Sequence, residues 1–300
     1  MTKLRLYRDF SRPFTLIPPM TGIFSGALIG IVAARPKFQW LPIALAILAA
    51  GLLNAGSNGL NQIFDLANDR INKAQRPLPS GRMAVSEAAW FAAAAYLFAL
   101  FLAWEVNAQT FVIYLVAALA TVAYSVPPLR LKRRPWASNF VIALTRGELL
   151  KVAGWAAVAT VLDSWEPWTI GFIYFLFLMG ATTTKDFADI EGDRAAGCMT
   201  LPVKYGVEKS ILLISPAFIV PWIVMALGVF FKILTGDAVA ILCLSVVMLV
   251  WGACVVKMIR RDPQQLVREG ENHPAWRQMY WMMMVGHLGL AGAYLLKLIH

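Results

Sequence analysis

The sequence predicts an all-α integral membrane fold: nine transmembrane helices, arranged as two related four-helix halves plus one, with the N-terminus in the cytoplasm. Three observations carry this expectation. Hydrophobic residues make up 59% of the 300-residue chain and charged residues only 15%, where a soluble domain has roughly a quarter charged. Apolar runs near the length a helix needs to cross about 30 Å of hydrocarbon recur along the chain. The basic residues are confined almost entirely to alternate connections between those runs.

Helices follow from the runs because a backbone in lipid must satisfy its own hydrogen bonds, which only a helix or a closed barrel does. In chain order the windows are 14–34, 41–63, 84–104, 108–126, 137–161, 168–184, 210–231, 238–256 and 278–297. The first follows a basic tail, Met1 to Arg12, and lacks a small-residue cleavage site, so it reads as a retained span. The second ends in a polar stripe, Asn54, Asn58, Asn61 and Asp65, spaced to share one helical face that points into the bundle. The fifth is interrupted by Arg146, Glu148 and Lys151. Glu148 and Lys151 are three residues apart, the spacing of an internally neutralised ion pair, and acceptor recognition is the alternative role for the three. On the ninth, His287 reads as a packed or hydrogen-bonded histidine and not a ligand.

Charge sorting sets the orientation. Of 27 Lys and Arg residues, 21 lie in the N-terminal tail or after the even-numbered windows. The other side holds Arg35, Lys37, Lys232 and Lys297, and Arg146 and Lys151 lie within the fifth window. An asymmetry of this size places the basic side in the cytoplasm. It also accounts for the formal charge of +10 without a nucleic-acid partner, and no obligate protein partner is evident. Cys198, Cys243 and Cys254 have no metal-ligand spacing and read as buried spectators.

A single domain, 1–300, is expected, with halves at about 14–126 and 137–256 and cytoplasmic cap segments at 64–83 and 185–209. The halves are suggested by an internal match. Asn61, Asp65 and Asp69 have the four-residue spacing of Lys185, Asp189 and Asp193, offset by 124 residues. Each block continues into Asp-Arg, Asp69-Arg70 and Asp193-Arg194, and then into Leu-Pro, Leu78-Pro79 and Leu201-Pro202.

Asp186, Asp189 and Asp193 again share a helical face, and carboxylates so close raise one another's pKa unless a cation neutralises them. Mg²⁺ suits them, because it takes oxygen ligands and is held by one or two carboxylates together with substrate phosphates. Arg70, Arg76, Lys132, Lys185, Arg194 and Lys204 exceed what the carboxylates need, which points to a phosphate-bearing ligand. Ordinary helix caps and cytoplasmic basic loops would explain the charges but not the duplicated spacing. A diphosphate bound in a membrane bundle implies a lipid tail, and its departure from an allylic carbon would leave a carbocation.

The blocks Asn61-Gln-Ile-Phe-Asp-Leu-Ala-Asn-Asp69 and Lys185-Asp-Phe-Ala-Asp-Ile-Glu-Gly-Asp-Arg194 resemble the two Asp-rich motifs of the UbiA superfamily of intramembrane prenyltransferases. Arg76-Pro-Leu-Pro-Ser-Gly81 and Thr200-Leu-Pro-Val-Lys204 resemble the segments that follow them. Gln62 looks like the homogentisate branch, and Tyr124-Ser-Val-Pro-Pro-Leu-Arg-Leu-Lys132 looks like the chlorophyll-synthase form. The resemblance implies a lipid-open cavity and Mg²⁺-dependent transfer of a prenyl chain from a prenyl diphosphate to a lipophilic acceptor. It implies Asn61, Asp65, Asp69, Asp186, Asp189 and Asp193 as metal ligands. Asp65, Asp69, Asp189, Asp193 and Tyr124 are the implied catalytic group, with Asn61, Arg12, Arg70, Arg76, Lys132, Lys185 and Arg194 on the diphosphate. The expected acceptor is aromatic, a quinone or tocopherol-type precursor, with chlorophyllide or a glyceryl-phosphate lipid as alternatives of the same chemistry. A transporter is the alternative of another class, but transporter sites sit near the midplane of the bilayer, whereas these acidic clusters sit at one face.

Overall fold

Hydrocarbon offers a backbone no partners, and among the described residues every regular element is helical. The computed structural model describes residues 2–269 and 272–299. A short amphipathic helix α1 (Lys3–Ser11) and a 3-10 turn (Pro13–Leu16) lead into α2 (Ile17–Ala34). There follow α3 (Trp40–Phe64), the short α4 (Leu66–Asn72), α5 (Val85–Val106) and α6 (Ala108–Ser125). The chain continues through α7 (Pro135–Ala143), α8 (Leu149–Ala156), α9 (Glu166–Ala181), α10 (Ile190–Ala195) and α11 (Leu201–Tyr205). It closes with α12 (Val207–Ile214), α13 (Val220–Phe230), α14 (Ala238–Arg261), α15 (Pro263–Glu269) and α16 (Pro274–Leu296).

Among the described residues seven stretches are long and apolar enough to cross a membrane: 13–34, 40–64, 85–106, 108–125, 207–230, 238–261 and 274–296. The fifth and sixth windows differ for physical reasons. A five-residue π segment, Leu144–Glu148, joins α7 to α8 and carries Arg146 and Glu148, while α9 has only 16 residues before a 3-10 turn, Thr182–Lys185.

Burial is arranged for a lipid solvent. On α5 the buried face is Ala88, Ala92, Ala95, Ala99 and Ala103, packed against α3, whereas Trp90, Leu97, Phe98, Phe101 and Trp104 are exposed. Small residues let helices approach closely where lipid tails remove any hydrophobic drive between helices. α2 and α8 meet in the same way. A Cβ on Gly154 of α8 would lie 2.3 Å from the Ile23 carbonyl oxygen of α2, and one on Gly26 would lie 2.7 Å from that of Lys151.

Two side-chain expectations are corrected and one is refined. Asn54 and Asn58 are buried inside the bundle, and their amide donors are taken by the N-terminal segment. Asn54 Nδ2 donates to the Thr15 carbonyl at 2.9 Å and Asn58 Nδ2 to Thr15 Oγ1 at 2.7 Å, while Gln62 Nε2 donates to the Phe10 carbonyl at 2.9 Å. This face of α3 anchors the N-terminal segment, whose turn leaves carbonyls in need of donors. Glu148 and Lys151 form no ion pair. Lys151 is buried on Ser25 and over the Tyr174 ring at 4.7 Å, while Glu148 abuts Gly171. Cys198 is buried, but Cys243 and Cys254 are exposed on α14, because a thiol is at home against lipid. His287 is packed, stacked on Tyr174 with centroids 4.5 Å apart, and neither of its ring nitrogens has a partner among the described residues.

His273 caps α16. Its Nδ1 accepts from the Ala275 amide at 3.1 Å, and it is buried. An imidazolium has no lone pair to accept with, so the cap needs the neutral ring. Burial lowers the His273 pKa, against the opposing pull of Glu269 and Asp262. A depressed folded-state pKa means that the stabilisation is present above the unfolded value near 6.5 and is lost as pH falls through the folded value. Acidifying from pH 7.5 to 5 should therefore cost up to about 1 kcal/mol, the usual worth of a cap. His273→Asn should remove this component of the pH dependence. An unchanged Tm-versus-pH slope in that variant would contradict the capping role.

Candidate functional site

Each acidic motif begins where a membrane helix stops. α3 ends at Phe64, and Asp65 (φ −103°, ψ 8°) turns the chain into α4. Beyond α9 and its 3-10 turn, Asp189 (φ −112°, ψ 13°) turns the chain into α10 in nearly the same conformation. The Asp69 amide donates to the Asp65 carbonyl at 2.8 Å, and the Asp193 amide to that of Asp189 at 2.7 Å. The duplicated spacing therefore coincides with a duplicated helix break, which sets the two carboxylates of each motif one turn apart on a common face.

α4 and α10 touch, and Lys73 Nζ lies 3.5 Å from Asp189 Oδ2, joining the two motifs directly. A third segment comes from the end of α6. Arg130 adopts a left-handed conformation (φ 37°) ahead of a 3-10 turn, Leu131–Arg133, and this delivers two cations to the first motif. Buried Lys132 places Nζ 2.5 Å from Asp65 Oδ1 and 2.9 Å from Asn61 Oδ1. Arg130 Nη2 donates to the Phe64 carbonyl at 2.9 Å and lies 3.4 Å from Asp65 Oδ1. Arg76 Nη1 is 2.8 Å from buried Asp69. The Met199 amide donates to the Arg133 carbonyl at 3.0 Å, tying the third segment to the second motif.

The two motifs differ in charge balance. Asp65, Asp69 and Asp189 each meet a Lys or Arg. Asp186 and Asp193 do not reach one within ion-pair distance among the described residues. Burial, and then repulsion from Asp193 and Asp189, pushes Asp186 up to about 7 against the attraction of Lys185. Burial and Asp189 likewise push Asp193 up to about 6, and nearby Thr200 and Lys185 only partly offset this. Lys185 is raised although burial opposes its charge, because the oxygens of Tyr124, Asp186 and Asp193 surround it. By surface area Lys185 is nonetheless exposed at this end of the bundle. Lys132 is lowered, burial outweighing the pull of Asp65.

Among the described residues no three His, Cys, Asp or Glu side chains gather into a preformed metal centre. An all-oxygen set offering one or two carboxylates from each motif fits Mg²⁺, which draws its remaining ligands from water and phosphate. The same set does not fit zinc or a soft metal.

The recess brings together Asn61, Asp65, Asp69, Arg76, Lys132, Lys185, Asp186, Asp189 and Asp193. Tyr124 is half-buried at its edge, with Ser138 Oγ 3.5 Å from its hydroxyl. Arg70 and Arg194 occupy equivalent positions and are exposed. Arg12 sits in a left-handed turn between α1 and the first 3-10 turn. Lys73 and Arg130 were not singled out from sequence. The Arg-Leu-Lys alternation of 130–132 could have flagged Arg130, but nothing marks Lys73.

The fold and recess define a polytopic helical membrane protein with a cation-flanked acidic site at one end of its bundle. The UbiA prenyltransferase family model matches residues 23–295. The chain is 33% identical over 208 residues to the bacteriochlorophyll synthase 33 kDa chain of Rhodobacter capsulatus, covering 68% of each chain. It is 31% identical to the digeranylgeranylglyceryl phosphate synthase of Thermococcus kodakarensis, over 69% of this chain and 72% of that one. A UbiA homolog from Archaeoglobus fulgidus, solved bound to GPP and Mg²⁺, shares the fold with a TM-score of 0.70 at 20% identity, covering 95% of this chain and 99% of that one. The chain belongs to the UbiA prenyltransferase family.

Proposed function

We propose that this protein transfers a prenyl chain from an allylic polyprenyl diphosphate to a membrane-associated aromatic acceptor of the quinone or tocopherol-precursor type, with Mg²⁺ bound and pyrophosphate released. The observation that carries the reading is the convergence of two acidic motifs and a ring of cations at one end of the bundle. Asn61, Asp65 and Asp69 on one side, and Asp186, Asp189 and Asp193 on the other, would hold Mg²⁺ against the diphosphate. The ion supplies charge neutralisation of the leaving group. Lys132, Arg130 and Arg76 would exchange or share their carboxylate partners with diphosphate oxygens, Lys185 would add a further positive charge, and such fixed charges act where negative charge develops as the C1–O bond breaks. Tyr124 would border the reacting carbon. The names of the relatives favour a second acceptor reading, a chlorophyllide or a glyceryl-phosphate lipid, by the same chemistry.

Nine spans, a cytoplasmic N-terminus and a cytoplasmic site belong to this proposal. What supports them is the sorting of basic residues and the 124-residue offset, which carries α3 onto α9 and α5 onto α12 and α13. The paired helix breaks at Asp65 and Asp189 support the same division into halves.

Purified protein incubated with geranyl or geranylgeranyl diphosphate, Mg²⁺ and a panel of acceptors should release pyrophosphate and yield a mass-shifted lipid. EDTA should reduce the rate to background, and added Mg²⁺ should restore it. A prenylated product formed at full rate in EDTA would overturn the metal dependence, and a panel with no product and no pyrophosphate would overturn prenyl transfer itself.

A further inference from the structure

An apolar cavity lies inside the bundle between α2, α3, α6 and the π segment that joins α7 to α8. Its walls include Ile23, Leu53, Ile113, Leu149 and Leu150. Ser57 and Thr121, four residues before Asn61 and Ser125 on α3 and α6, line its polar end. That end therefore lies about 6 Å, one helical turn, from the diphosphate recess.

The polar residues of this lining are satisfied internally, with one exception. Asn54 bonds to the Thr15 carbonyl, Thr145 to the Val141 carbonyl at 2.7 Å and the Tyr114 hydroxyl to the Ala46 carbonyl at 2.5 Å. Thr121 bonds to the Tyr96 hydroxyl at 2.8 Å, and Ser57 lies close to the same hydroxyl. Arg146 is the exception: among the described residues no carboxylate or carbonyl reaches its guanidinium, which is half-buried and lines the cavity. Tyr124 and Lys185 are within electrostatic reach of it, so it stands between the cavity and the recess.

A guanidinium inside a membrane bundle is costly without an anionic partner, and its planar donors match a carboxylate or phosphate. Here it would also sit beside a carbon that becomes cationic as the diphosphate leaves. An uncompensated positive charge at that point raises the barrier, so the site works only if an oxyanion occupies it when ionisation occurs. A diphosphate held by the acidic motifs would have Lys132, Arg130, Arg76, Lys73 and Lys185 near it, one helical turn away. The π segment has a geometric part in this: the extra residue in its turn separates Arg146 from Lys151, which bonds to Ser25 on the α2 side.

We infer that Arg146 is the specificity-determining residue for the acceptor, and that it selects acceptors carrying an oxyanion, a carboxylate or a phosphate, held at the mouth of the apolar cavity. This rests on the prenyl-transfer reading above. It adds that a neutral acceptor of the same shape is discriminated against. The anion neutralises Arg146 and orients the nucleophile toward C1 of the prenyl group; the C1–O bond breaks as pyrophosphate leaves, the acceptor bonds to C1, and the acceptor proton passes to an oxygen of the released pyrophosphate.

The test is equilibrium binding to the full-length protein in detergent, using two matched pairs of probes: homogentisate with its methyl ester, and geranylgeranylglyceryl phosphate with its dephosphorylated alcohol. The unaltered protein should bind one of the anions at least tenfold more tightly than its neutral partner, and whichever pair discriminates identifies the source of the oxyanion. Arg146→Met should weaken that anion by roughly 10- to 100-fold, as loss of a charge-assisted hydrogen bond does, and leave Mg²⁺-dependent geranyl diphosphate binding intact. Arg146→Lys should recover part of the loss. Intact diphosphate binding also certifies that the variant is folded. No discrimination in either pair, unchanged discrimination in Arg146→Met, or a loss confined to geranyl diphosphate would each overturn the assignment. Failure of the unaltered protein to bind geranyl diphosphate or release pyrophosphate would count against prenyl transfer instead, independently of the acceptor pairs.

Discussion

Replacing Asp65 with Asn should lower Mg²⁺-dependent prenyl transfer by roughly 10²- to 10³-fold, the scale seen when a preorganised electrostatic contact is lost, and Asp189→Asn should do the same. Asparagine keeps the volume and still offers an oxygen to Lys132, which lies 2.5 Å from Asp65 Oδ1. What it removes is the charge that would hold the metal. The informative variant is the double one. If the two motifs are halves of one site, either substitution already disables it, and combining them should cost little more than the worse single change. Independent sites would multiply their losses, because distant, uncoupled substitutions add in free energy. Steady-state rates on monodisperse protein decide between the two outcomes.

A large stability effect is expected where α8 crosses α2. A methyl group at Gly154 would lie 2.3 Å from the Ile23 carbonyl oxygen and 2.9 Å from the Ala27 amide nitrogen. Both are backbone atoms of α2, so no side-chain rotation relieves the clash and the helices must separate along their contact. Gly154→Ala should cost about 3 kcal/mol or more, the upper range for overpacking, and lower Tm by about 5 °C or more. Gly292 on α16 is the control, since a Cβ there meets nothing within 4 Å. Gly292→Ala should change Tm little. Equal Tm values for both variants would contradict the close crossing of α2 and α8.

Much of this was legible in the sequence, for reasons that also explain what was not. Chain length and apolarity reveal a helix in lipid directly, so seven of the nine windows coincide with long apolar helices among the described residues, while the fifth and sixth do not. The acidic motifs could be found because divalent-ion chemistry needs carboxylates at fixed spacing, and the spacing occurs twice. A π segment leaves no trace in a 3.6-residue pattern, so the divergence of Glu148 from Lys151 was not visible. The partners of Asn54 and Asn58 are Thr15 and carbonyls of the N-terminal turn, and an asparagine stripe reads the same whether it faces a substrate or an unsatisfied turn. The cysteines mislead for a related reason: burial rules drawn from water reverse for Cys243 and Cys254, whose side of α14 faces lipid. Lys73 reaches Asp189 across 116 residues, a contact that only the folded chain defines.

The central claim is that the two acidic motifs form one split site for a metal-bound diphosphate. It is tested most directly by equilibrium binding of radiolabelled geranyl diphosphate to the unaltered protein, Asp65→Asn and Asp189→Asn, each with and without Mg²⁺. The account predicts one diphosphate bound per chain, only with Mg²⁺, and loss of that binding in either variant alone. Retention of full Mg²⁺-dependent binding in either variant, or two diphosphates per chain lost one at a time, would contradict it.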